Sequence, residues 1–232
     1  MIKESVFKSF DNAQALADKL ADKIAQQLQE AVDKRGSASL VVSGGSTPIL
    51  LFKALSKKVI DWNEVYVTLA DERWVDINDD ASNEAIVKEY LIRKRAASAK
   101  FQGLKNMFVS PETGCKMAVD KLSHIHQPFD VVVLGMGNDG HTCSWFPCAA
   151  EIDDALQTKS QCVAVNPTTA PHARISLSKS AVLNSKQIYL HIVGEQKLSV
   201  YREALQNEDA KQMPIRAVLA QHKTPVDVFW SV

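Results

Sequence analysis

Neither sign of charge predominates in this sequence: 27 Lys and Arg stand against 27 Asp and Glu, a formal net charge of zero. That balance excludes a polybasic nucleic-acid surface and an acidic tail, so no nucleic-acid partner is expected. An anionic ligand would have to be held by local geometry, because the bulk field offers nothing. Long hydrophobic runs are missing too, and no stretch nears the roughly 18 apolar residues of a membrane span. The segment from Met1 to Phe10 alternates charged and apolar residues and has no apolar core like that of a signal peptide. A cytoplasmic protein with no membrane partner is the expectation. Cysteine is sparse: Cys115, Cys143, Cys148 and Cys162 form no CxxC pair, which reads as small buried thiols in a reducing compartment. Asn166-Pro167-Thr168 is blocked as a glycosylation site by its proline.

What is present is ordinary for a soluble globular chain, with 46% apolar and 23% charged residues. No Pro/Gly/Ser-rich linker and no internal repeat divides it, so residues 1–232 are expected to form one domain. Leu16, Leu20, Ile24 and Leu28 recur every fourth residue and predict a helix over 11–32, ended by Gly36. Strands are predicted at 40–42, 65–69, 130–134, 162–165, 174–177, 188–193 and 226–230. Helices are predicted at 48–55, 82–92, 112–123, 195–206 and 214–221, with Thr47 capping the first of these and Pro48 opening it. The run 130–134 is apolar after Asp130, as in strands buried on both faces of a parallel sheet. Strands alternating with helices predict an α/β layer sandwich with a largely parallel sheet and helices on both faces. In such sheets ligands sit beyond the carboxyl ends of the strands.

Three sets of residues at those ends carry chemistry. Ser43-Gly44-Gly45-Ser46-Thr47-Pro48 links a strand to a helix, and its glycines and free N–H groups suit an anion, most usefully phosphate. It lacks the lysine of a P-loop. The second set, Gly135-Met136-Gly137-Asn138-Asp139-Gly140-His141-Thr142, matches GxGxxG, but Pro147 cuts it short and no acidic residue ends the next strand, against a dinucleotide fingerprint. What remains is His141 exposed in a cleft as a base, with Asp139 two residues away to orient or stabilise it. A metal reading finds two ligands there and no third. The third set is Arg73, Arg174 and Lys197; the last is a cation in the first turn of a helix, where the dipole disfavours it, which hints at an anionic partner.

Together these motifs resemble the 6-phosphogluconolactonase family, within the wider group of sugar-phosphate isomerase and deaminase folds. The resemblance rests on Ser43 to Pro48, Asp71-Glu72-Arg73-Trp74-Val75, Ser82-Asn83, Gly135 through Phe146-Pro147, Pro171, Arg174 and the step from Gly194 to Lys197. These stand in the family's order across about residues 40–200. Asp76, where the lactonases commonly have proline, and Cys148, where glycine is usual, depart from the pattern at motif edges.

The resemblance implies a modified Rossmann-like fold, no metal, no nucleotide cofactor, a small sugar-phosphate substrate and a place in the oxidative pentose phosphate pathway. It also implies that His141 activates water against the lactone carbonyl, and that the Ser43–Thr47 loop, Arg174 and Lys197 hold the 6-phosphate. Arg73 is expected at the oxyanion or the substrate. Asp71 resembles the base of the related glucosamine-6-phosphate deaminases but does not discriminate between the two activities. The deaminase pattern has glutamate immediately before the loop proline, where this chain has Phe146, which favours the lactonase. A non-catalytic sugar-phosphate sensor would require a helix-turn-helix for which there is no spare length. A monomer or weak homo-oligomer is expected.

Overall fold

The computed structural model describes residues 6–232; residues 1–5, half of the segment read as too polar for a signal peptide, lie outside the described residues. The chain opens with β1 (Phe7–Phe10), α1 (Ala13–Arg35), β2 (Ala38–Val42), α2 (Ile49–Leu55), β3 (Val65–Leu69), β4 (Asp71–Arg73), α3 (Asn83–Tyr90) and β5 (Lys100–Gln102). It continues through α4 (Pro111–Leu122), β6 (Val131–Leu134), α5 (Ile152–Gln157), β7 (Cys162–Val165), β8 (Arg174–Leu177) and α6 (Lys179–Val182). β9 (Ile188–Val193), α7 (Glu195–Ala204), α8 (Arg216–Leu219) and β10 (Val226–Ser231) complete it.

Seven strands form one sheet in the order β1-β10-β9-β6-β2-β3-β5, and every neighbouring pair runs parallel. This is the α/β class that the alternation of elements predicts. β2 and β6 are buried along their whole length, so side chains on both faces of the sheet are covered. From β2 the chain builds outward through β3 and β5, then returns to the opposite side of β2 with β6. A crevice opens where the strand order reverses in this way. The carboxyl ends of β2 and β6 are joined there by Ser43 N–H donating to the Val133 carbonyl at 3.0 Å.

β4, β8 and β7 form a separate antiparallel sheet. The sequence predicts its strands only in part: 162–165 and 174–177 are expected, whereas 71–73 is not predicted as a strand of its own beyond the one at 65–69. Three residues carry too little periodicity to announce a strand. β1, β5, α5 and α6 escape the sequence pattern for the same reason of length.

α1 buries Leu16, Leu20, Ile24 and Leu28 as predicted; Asn12 caps its start, accepting from Ala15 N–H at 2.9 Å, and Gly36 ends it at φ 79°. α2 corrects an expectation. Pro48 is its cap residue rather than its first residue, and Thr47 makes no capping bond; the helix spans two turns. The helix predicted at 214–221 shrinks to the single turn of α8.

At the opposite end of the sheet from the crevice, Asp130 is buried between Arg35 and Lys186, with Lys186 Nζ at 2.8 Å and the Ser39 N–H at 2.9 Å. Removing this carboxylate strands two cations and a buried N–H. Asp130→Ala is expected to lower unfolding free energy in urea by about 2 kcal/mol, less than for a fully sealed pair because Lys186 is 47% exposed. Its kcat should be unchanged. Among the described residues, no helix is long and apolar enough to cross a membrane.

Candidate active site

The crevice at the reversal point holds a cavity of about 180 Å³. β2 contributes Ser43, Gly44 and Thr47 from the loop after it, the loop after β6 contributes Gly135, Gly137, His141 and their neighbours, β4 contributes Asp71 and Arg73, β8 Arg174, and α7 Lys197. The loops after β2 and β6 open here because parallel strands discharge their loops at one edge, and the antiparallel β4–β8 pair and α7 bring the remaining residues to them.

His141 Nδ1 lies 2.6 Å from Asp139 Oδ1, which also accepts the His141 backbone N–H at 3.1 Å. An ionised carboxylate can only accept, so Nδ1 carries the proton and Nε2 keeps its lone pair. Burial pushes the Asp139 carboxyl up, but the hydrogen bonds and charge of His141 outweigh it and leave the group below the usual carboxylate range. Gly137 makes room for the pair: a Cβ there would sit 2.0 Å from His141 Nδ1 and 2.5 Å from Asp139 Oδ1. Phe146 stacks on the imidazole with centroids 4.2 Å apart, and the Arg174 guanidinium lies 5.6 Å from the same phenyl centroid.

Arg73 and Arg174 are direct cross-strand partners in the small antiparallel sheet. Two cations side by side repel unless an anion lies between or above them. Arg174 is buried, donates to the carbonyls of Pro171 and His172, and has no carboxylate within ion-pair distance among the described residues; burial holds its pKa below the ordinary arginine value. Arg73 donates to the Ala81 carbonyl at 2.6 Å, while its Nε is buried without a partner. Burial likewise lowers Lys197, with the charge of Asp139 pulling the other way. A cleft holding three desolvated cations is built for an anion.

Neighbouring groups fix these side chains. Asp71 accepts from Ser144 Oγ at 2.6 Å, and its carbonyl accepts from Asn83 Nδ2 at 2.9 Å. Glu72 turns away from the cavity and binds the backbone N–H groups of Arg73, Asn83 and Glu84, tying the start of α3 to β4. Burial pushes its pKa up to about 7 against those donors. Asn83 packs against Gly44 so closely that a Cβ on Gly44 would lie 2.0 Å from its Oδ1.

The structure thus gathers Ser43, Gly44, Thr47, Asp71, Arg73, His141, Arg174 and Lys197 around one cavity, with Asp139 bonded to His141. Gly45 and Ser46 belong to the loop but do not line the cavity. Among the described residues, the N–H groups of Gly44, Gly45, Ser46 and Thr47 donate to no protein acceptor. The lining residues outside the predicted set include Asn83, noted only as part of a motif, Met136 within the Gly-rich run, and His191, a lone polar residue in an apolar strand that reads as core. Among the described residues, no three His, Cys, Asp or Glu side chains are grouped as metal ligands.

The comparisons with known proteins agree with one another. A family model described as glucosamine-6-phosphate isomerases/6-phosphogluconolactonase matches residues 11–230. A 6-phosphogluconolactonase of Neisseria meningitidis is 40% identical over 233 residues, covering 97% of this chain and 99% of that protein. One from Rhizobium meliloti is 38% identical over 224 residues, covering 96% and 97%. The crystal structure of a 6-phosphogluconolactonase from Shewanella baltica superposes with a TM-score of 0.98 at 70% identity, covering all of both chains.

Proposed function

The chain belongs to the glucosamine-6-phosphate isomerase/6-phosphogluconolactonase family, and on that premise we propose that it acts through water activated by His141. Its activity is hydrolysis of 6-phospho-D-glucono-1,5-lactone to 6-phosphogluconate, in the oxidative pentose phosphate pathway. The observation that carries the mechanism is the His141–Asp139 pair on the wall of a cavity that also presents Arg73, Arg174 and Lys197.

Asp139 holds the Nδ1 proton, so Nε2 takes a proton from water as the water oxygen attacks C1. The carbonyl electrons move onto oxygen, and Arg73 stabilises that oxyanion in a partly desolvated cleft. The tetrahedral intermediate then expels the ring oxygen, which receives the proton back from the imidazolium. Asp139 stays ionised and favours the imidazolium while it lasts. The free N–H groups of Gly44 and Thr47, with Arg174 and Lys197, hold the phosphate, so binding energy from the far end of the substrate positions the carbonyl. The whole chain works as one cytoplasmic lactonase domain.

Turnover of freshly generated δ-lactone, corrected for spontaneous opening, tests the activity. Lys197→Ala tests the phosphate assignment. It should raise KM for the phosphorylated lactone about 10- to 100-fold while leaving unphosphorylated gluconolactone unaffected; an equal loss on both would remove Lys197 from the phosphate site. The deaminase alternative is disfavoured because Phe146, packed on the imidazole, occupies the position of the deaminase glutamate. Ammonia released from glucosamine 6-phosphate would restore it.

A further inference from the structure

Among the described residues, six buried side-chain polar atoms have no hydrogen-bond partner, and three of them belong to residues lining the active-site cavity: Arg73 Nε, Asn83 Oδ1 and His191 Nδ1. His191 is the least expected. It stands in β9 between Leu190 and Ile192, 4% exposed, where an aliphatic side chain would pack without stranding a nitrogen. Unpaired buried polar atoms are rare and destabilising, so a residue that keeps one has another use.

The chemistry of the ring follows from its surroundings. Burial pushes the His191 pKa down to about 4, so the imidazole is neutral near pH 7. One nitrogen then bears a proton and the other a lone pair. An orphaned buried N–H is rarer than an orphaned acceptor, which places the lone pair on the sealed Nδ1 and the proton on Nε2. No protein group pairs with Nε2 among the described residues, and Nε2 is not among the sealed atoms. The ring therefore offers the cavity a neutral N–H donor already aimed.

Its direction follows from strand geometry. Residues two apart share a sheet face, and Tyr189 on that face hydrogen-bonds Gln27 of α1 at 2.7 Å. α2 packs along α1, so His191 looks toward the layer that begins with the Thr47–Pro48 loop. Lys197 reaches the same cavity from α7, directly after β9. We propose that His191 is a further substrate-binding residue, donating its Nε2–H to a phosphate oxygen of the bound sugar phosphate between the 43–47 loop and Lys197. The inference rests on the lactonase reading and adds to it a residue outside the recognised motifs.

The test compares His191→Leu with His191→Gln, whose amide can place an N–H near the former Nε2. Binding of 6-phosphogluconate, gluconate and inorganic phosphate is measured by calorimetry. His191→Leu should bind 6-phosphogluconate and phosphate about 10- to 100-fold more weakly, with the kinetic loss mainly in KM. Gluconate binding should not change, and His191→Gln should recover most of the loss. His191→Leu should melt no lower than wild type, because it removes a stranded nitrogen; a purely structural histidine would show the opposite pattern. Unchanged phosphate binding in His191→Leu, equal losses in both variants, or an equal loss for gluconate would overturn the proposal. Should His191→Leu not fold, the wild-type imidazole decides: inorganic phosphate should shift the ¹⁵N resonance of Nε2, and no shift would overturn it. Absence of lactone turnover in wild type would instead sink the lactonase reading, leaving the phosphate titrations to judge His191 separately.

Discussion

His141→Ala is expected to lower kcat for the lactone by about 10²- to 10⁴-fold, the usual contribution of a positioned base. The residual rate would come from the cations, which still bind the phosphate and stabilise the oxyanion. KM should change little if, as proposed, the imidazole faces the carbonyl end of the substrate rather than the phosphate. The side chain is 29% exposed and, among the described residues, has its only ring hydrogen bond with Asp139, so the variant should fold normally. Single-turnover hydrolysis at pH 7, corrected for uncatalysed opening, measures the effect. Turnover equal to wild type would show that another group activates the water.

Gly137→Ala should cost almost as much without touching any reacting atom. Its methyl would have to occupy space 2.0 Å from His141 Nδ1, 2.2 Å from Cε1 and 2.5 Å from Asp139 Oδ1, all far inside van der Waals contact. The 43–47 loop and the cations are not displaced, whereas the dyad must separate. A loss in kcat of about 10²-fold or more follows. Combining Gly137→Ala with His141→Ala gives the sharper reading. Groups acting as one unit are non-additive, so the double variant should be no slower than His141→Ala alone. Additive losses would mean that the glycine serves something other than the imidazole.

The His141–Asp139 pair was legible in the sequence because it is local. Only Gly140 separates its members, and the glycines before and within the pair mark a backbone under close approach, so no long-range pairing had to be known. The 43–47 loop was legible for a similar reason, as a turn between an apolar strand and a helix. The convergence of Arg73 and Arg174 was not. They meet because β4 folds back beside β8, a pairing between short segments far apart in the chain and without a marking turn. His191 was hidden by its surroundings, since an apolar strand with one histidine looks like core until the cavity beside it is visible.

Read alone, the chain determines the α/β alternation, the extent of its long helix and core strands, and the local His141–Asp139 pair, because hydrophobic period and turn residues act over a few positions. The order of strands, the crossing of the chain between β2 and β6, and the meeting of three cations at one cavity were decided only by tertiary structure. Sheet pairing is set by the packing of whole faces, and no short stretch of sequence records which faces will meet.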